Sequence, residues 1–68
     1  MTMASTYQVE VHDGSCWSFG IRYDRNRNLP IFCDVESADV FSSRKEAKAM
    51  QAWAERICGG TMRTHRLP

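Results

Sequence analysis

Cys16, Cys33, Cys58, His12 and His65 are the side chains best suited to metal or nucleophilic chemistry. By number they would suffice for a Cys3His zinc centre. Structural zinc sites take their ligands from close pairs such as C-x2-C, and no two cysteines here are that near in sequence. An odd count without close pairs is not a disulfide framework either. It fits a reducing compartment, so a cytoplasmic location is expected. A Cys–His nucleophile needs a third group to orient the base, and none is evident beside His12. Free cysteine behaves as a small hydrophobe, and the three thiols are read as buried or half-buried packing. No metal, cofactor or catalytic role is assigned, and the chain is not expected to be an enzyme.

The charged clusters come next. Asp34, Glu36 and Asp39 are close in sequence. Strand alternation puts Asp34 and Glu36 on one face, roughly 7 Å apart, a spacing that suits a divalent cation or acid–base work. The favoured reading is a solvated edge that deters edge-to-edge pairing. Arg44, Lys45 and Lys48 gather where a helix should begin, against the helix dipole. Free N–H groups beside cations there suit an anion such as a nucleic-acid phosphate. The expectation is instead that Glu36 and Asp39 fold back and neutralise them. Arg22, Arg25, Arg27, Arg63 and Arg66 would extend the basic patch. The net charge is only +1, whereas dedicated nucleic-acid binders are usually clearly basic. Trp17 and Trp53 offer rings for stacking on bases, but both fall on faces read as core.

The elements that position these residues follow from periodicity. Tyr7, Val9 and Val11 alternate with polar residues, then Asp13-Gly14 intervenes, then Trp17, Phe19, Ile21 and Tyr23 alternate again. This is a β-hairpin signal. A two-residue Asp13-Gly14 loop would set the two apolar rows on opposite faces. A three-residue loop, His12-Asp13-Gly14, pairs Val11 with Ser15, Val9 with Trp17 and Tyr7 with Phe19. That register unites the apolar rows on one face and is the one expected. Asp24 to Pro30 reads as a polar loop. Ile31, Cys33 and Val35 give a third strand, with Cys33 facing the core, and Glu36-Ser37-Ala38-Asp39 breaks it. Ser43-Arg44-Lys45-Glu46 matches a capping box. Ala47, Met50, Trp53, Ala54 and Ile57 form a helical apolar stripe, and Gly59-Gly60 stops the helix.

The fold expected is α+β: an antiparallel sheet of three strands, or four if residues 61–68 form a last strand rather than a tail, with one helix on one face. Residues 1–68 read as a single domain with a frayed start at 1–5. So short a chain buries roughly 60% of its unfolded surface, which calls for a core dense in large side chains or a partner such as a second copy. Two Trp, three Phe, two Tyr and four Met make such a core feasible. No apolar run approaches a membrane span, and no membrane partner is expected.

Tyr7-x-Val9, the Asp13-Gly14 turn followed by Trp17, and Phe41-Ser-Ser-Arg-Lys-Glu46-Ala47 resemble a group of small uncharacterised bacterial and phage domains. Those domains carry Tyr-x-Val, a Gly turn before Trp, and Phe-x-(Ser/Thr)-x-x-Glu-Ala at a helix start. A sheet and helix with the last motif also look like the arm-site DNA-binding domain of phage integrases. The segment Asp24 to Ala38 is longer and more acidic than that pattern.

The expected outer sheet face holds Gln8, Glu10, Cys16, Ser18, Gly20 and Arg22, with Phe32, Asp34 and Glu36 from the third strand. Three acids against one arginine disfavour docking on phosphates. Phe32, rimmed by charge, suits an interface anchor. The expected function is therefore a small protein-binding module with Phe32, Glu10, Arg22, Asp34 and Glu36 at its interface. The resemblance and the small size imply a phage or mobile-element inhibitor of a host protein or complex, of the anti-CRISPR or anti-defence kind. The alternative is a nucleic-acid-binding sheet–helix module using Arg44, Lys45, Lys48, Arg25 and Arg27.

Overall fold

The computed structural model describes residues 5–68, so the expectation of a frayed start at 1–5 falls outside them except at Ser5. Strands β1 (Tyr7–His12), β2 (Trp17–Asp24) and β3 (Leu29–Cys33) are followed by a 3-10 turn (Val35–Ser37), helix α1 (Arg44–Cys58) and strand β4 (Thr61–Arg66). The strands form one sheet in the order β3-β2-β1-β4, antiparallel at every pairing. This is the expected α+β architecture, and the C-terminal segment is its fourth strand. Ser43 Oγ accepts the Glu46 N–H at 3.4 Å at the helix start. At the other end Gly59 takes a positive φ of 71° and donates its N–H to the Glu55 carbonyl. Val9, Val11, Ile21, Ala54 and Met62 make the core, with Met50 packed against it. Ile57, expected in the helix stripe, stays 51% exposed.

The first hairpin differs from the expected register. His12 pairs with Trp17, Val11 with Phe19 and Glu10 with Gly20, with a bulge between Val11 and His12. The loop is Asp13–Cys16, built around one carboxylate. Asp13 Oδ1 accepts the Ser15 and Cys16 N–H groups at 2.8 and 2.9 Å, and Oδ2 accepts the Ser18 hydroxyl at 2.9 Å. A bulge changes the parity of a strand. Phe19 and Ile21 therefore stay on the helix side of the sheet with Val9 and Val11, Ile21 buried and Phe19 exposed, while Trp17 turns to the outer face.

The third strand is also displaced. Ile21 pairs with Phe32, Gly20 with Cys33 and Arg22 with Ile31. Opposed residues share a face, so Phe32 and Pro30 lie on the helix side and Ile31 and Cys33 on the outer side. This reverses the expected placement of Phe32 and Cys33. The stretch Leu29 to Cys33 is apolar at both parities, so alternation there does not choose a face; pairing with β2 does.

Strands β1 and β2 pair only near their hairpin and then fork. Asp39 donates its N–H to the Ile21 carbonyl at 3.1 Å, and Phe41 exchanges two backbone bonds with Tyr7 at 2.8 and 2.9 Å. The Tyr23 N–H donates to Asp39 Oδ2 at 2.8 Å. Residues 39–41 thus fill the fork and carry the chain from the 3-10 turn on the outer face to α1 on the other. Gln8 Nε2 holds that turn by donating to the Val35 carbonyl at 2.9 Å and the Ala38 carbonyl at 3.3 Å. Gly20 lets it approach, because a β-carbon there would collide with the Ala38 side chain.

Candidate functional site

Phe32 keeps 49% of its surface and Phe19 41%. Their rings stack with centroids 6.5 Å apart and planes inclined by 17°. With Arg22, Cys33, Asp34 and Ser37 they line an open hollow of about 650 Å³. Three of the expected interface residues, Phe32, Arg22 and Asp34, are therefore brought together, although Phe32 arrives from the helix side. Burial pushes the Cys33 thiol up from its ordinary value, with Arg22 opposing. The thiol is thus protonated at neutral pH and a poor nucleophile.

Glu10 and Glu36 do not join this hollow. Glu10 lies on the outer face as expected but is buried at 7% exposure. Arg63 Nε and Nη2 approach Glu10 Oε1 at 2.8 and 2.7 Å, and His65 Nδ1 stands 3.8 Å away. The Arg63 guanidinium lies 4.3 Å from the centroid of the Trp17 ring, and His12 meets that ring edge-on at 5.0 Å. Glu10 is thus the buried half of a structural pair. Glu36 sits exposed on the 3-10 turn. The outer face accordingly loses the acidic character expected of it. Asp34 and Glu36 leave the strand with the turn, Phe32 points the other way, and β4 adds Arg63 and His65.

The cations at the helix start are exposed. Among the described residues no carboxylate pairs with Arg44, Lys45 or Lys48. Asp39, expected to fold back on them, is engaged with the Tyr23 N–H instead. Arg25 and Arg27 lie in the β2–β3 turn, where Arg27 reaches Asp24 at 3.7 Å. Arg66 pairs with Tyr7, which also bridges Phe41, so Arg66 lies at the same end of the sheet as the helix start.

The cysteines are free and sit on separate elements: Cys16 exposed in the first loop, Cys33 half-buried, Cys58 exposed at the helix end. The Cys58 thiol donates to the Pro30 carbonyl at 3.8 Å. Among the described residues no three His, Cys, Asp or Glu side chains converge as metal ligands, and no helix is long and apolar enough to cross a membrane.

A second hollow, of about 500 Å³, was not anticipated from the sequence. Tyr23, Asn28, Asp39, Phe41, Met50 and Trp53 line it. Tyr23 and Trp53 were legible as apolar positions of a strand and a helix. Asp39 and Phe41 reach them only because the chain passes through the fork, which no local periodicity announces. Comparison with known proteins adds no relative: no family model, no curated protein and no solved structure matches the chain.

Proposed function

We propose that the chain is a small non-catalytic protein-binding module whose contact surface centres on Phe19 and Phe32. The observation that carries this reading is the exposed, stacked phenylalanine pair opening on a hollow rimmed by Arg22 and Asp34. Interfaces concentrate their energy in aromatic anchors set among charged rim residues. The matching partner surface presents an apolar anchor flanked by charges of opposite sign to Arg22 and Asp34. The resemblance to small phage domains supports a host protein as that partner and inhibition as the outcome. A second copy of the chain is a competing occupant of the same patch. The test is quantitative capture of a host protein by the intact chain and by Phe32→Ala and Phe19→Ala, with the fold of each checked by circular dichroism. Each variant should bind at least about ten-fold more weakly. Capture unchanged in both folded variants would refute the reading.

A second reading is favoured by the unneutralised cations at the helix start. Arg44, Lys45, Lys48 and Arg66 share one end of the molecule and would take phosphates of a nucleic acid. Micromolar duplex binding that falls steeply with salt and disappears in a Lys45→Ala, Lys48→Ala double variant would support this reading against the first.

A further inference from the structure

We infer that the second hollow binds an organic ammonium ion, methylated and carried either by a free small molecule or by a modified lysine side chain. Its walls are three aromatic rings supplied by three different elements: Tyr23 from β2, Phe41 from the fork segment and Trp53 from α1. The Tyr23 and Trp53 ring centroids are 5.8 Å apart with planes inclined by 57°, an open wedge rather than a closed stack. A cation lodged in such a wedge lies within reach of two electron-rich faces. Met50 adds a polarizable wall of the kind that adapts to irregular ligands.

Asp39 is the acid in this wall. Its Oδ2 is fixed by the Tyr23 N–H at 2.8 Å, and among the described residues no cation pairs with it. The Tyr23 hydroxyl donates to Asn28 Oδ1 at 2.6 Å, which holds the ring in place. A fixed, unpaired carboxylate beside aromatic faces selects a cation over a neutral apolar guest. A hard metal ion is disfavoured, because it needs several oxygen ligands and this wall offers one carboxylate. A methylated ammonium suits the site best, since its charge is spread over methyl groups that lie against rings at small dehydration cost. The volume of about 500 Å³ falls in the range of small-ligand pockets. No residue of this hollow lines the Phe19–Phe32 hollow, so the inference stands apart from the protein-binding reading.

The experiment is an NMR titration of the intact chain that follows the Trp53 indole N–H, with Trp17 on the outer face as internal control. Three probes are used: choline, its neutral isostere with a tert-butyl group in place of the trimethylammonium, and a short peptide carrying trimethyllysine. Choline should shift Trp53 saturably, with a dissociation constant of about a millimolar order, and leave Trp17 unmoved. The isostere should bind at least about ten-fold more weakly, and so should choline to Asp39→Asn, which keeps an oxygen to accept the Tyr23 N–H. Peptide binding tighter than choline assigns the ligand to a modified protein side chain; binding no tighter assigns it to a free small molecule. No saturable Trp53 shift with choline or peptide at about 100 mM, equal binding of the isostere, or unchanged binding by folded Asp39→Asn would each overturn the inference. Trp53→Leu should also abolish binding, but Asp39→Asn decides the matter if that variant fails to fold.

Discussion

Glu10 is buried on a face that is otherwise open because Arg63 bonds its Oε1 through two nitrogens while stacking on Trp17. The pair is asymmetric: the Arg63 side chain is 43% exposed and that of Glu10 only 10%. Removing the arginine strands a buried carboxylate, whereas removing the carboxylate leaves a cation that can turn to water. Arg63→Ala should therefore cost about 2–3 kcal/mol and Glu10→Gln about 1 kcal/mol in urea unfolding; the reverse order would show that the pair is not what buries Glu10. Asp13 makes a different prediction. Backbone N–H bonds from Cys16 and Ser15, then the Ser18 hydroxyl, lower its pKa to about 2. The folded-state value lies below the unfolded one near 3.9. The loop's stabilisation is thus complete above pH ~4 and is lost as pH falls through about 2. The Ser15 and Cys16 amide shifts should titrate with a midpoint near 2, and a midpoint near 4 would mean that these bonds are absent. These two residues also mark what could be read locally. Asp13-Gly14 announced a turn, but the loop length depends on how many N–H groups one carboxylate gathers. The bulge that follows sent Trp17 outward, where its apolar character gave no hint of an arginine partner.

At the level of elements, both hollows depend on the path of residues 34–41, which supplies Asp34 and Ser37 to the first and Asp39 and Phe41 to the second. Gly20 permits it by letting Ala38 lie against the sheet, and Gly20→Ala should destabilise the fold by about 1–3 kcal/mol through overpacking. A thermal melt unchanged by that substitution would mean that the 3-10 turn is not seated there. Helix α1 has a milder dependence: Ser43→Ala removes the acceptor for the Glu46 N–H and should cost about 1 kcal/mol. Helix α1 and its caps were legible because capping chemistry and the apolar period are local and agree with each other. The face of strand β3 is not legible in the sequence because Pro30, Ile31, Phe32 and Cys33 are apolar at both parities. Its face is chosen only by the long-range pairing of Ile21 with Phe32. That one reversal moved Phe32 from the outer face to the side of Phe19, and with it the candidate interface. With Phe32 on the helix side and Glu36 on the 3-10 turn, the outer face lacks the acidic character that would set it against phosphates.

The whole molecule constrains how a second copy could attach. The free edge of β3 is poorly suited to strand addition: Pro30 has no N–H to offer, and its carbonyl already receives the Cys58 thiol. The edge of β4 is more open: Gln51 Nε2 donates to the Met62 carbonyl at 3.1 Å and Gln51 Oε1 accepts the Thr64 hydroxyl at 2.8 Å, while His65 and Arg66 lie beyond these contacts. Antiparallel pairing of two such edges would bring Arg63 and Arg66 close to the arginines of the other copy, which like-charge repulsion opposes. Self-association is therefore expected through the Phe19–Phe32 surface and not through the strands. At high micromolar concentration the chain should sediment as a dimer. Phe32→Asp should sediment as a monomer, because two carboxylates would have to be buried at the joint. Thr64→Pro, which spoils the β4 edge, should remain a dimer. A dimer lost in Thr64→Pro and kept in Phe32→Asp would transfer the interface to the sheet edge. A wild-type monomer would leave the phenylalanine surface wholly to a foreign partner; if the chain is a dimer through these rings, added partner should displace the second copy.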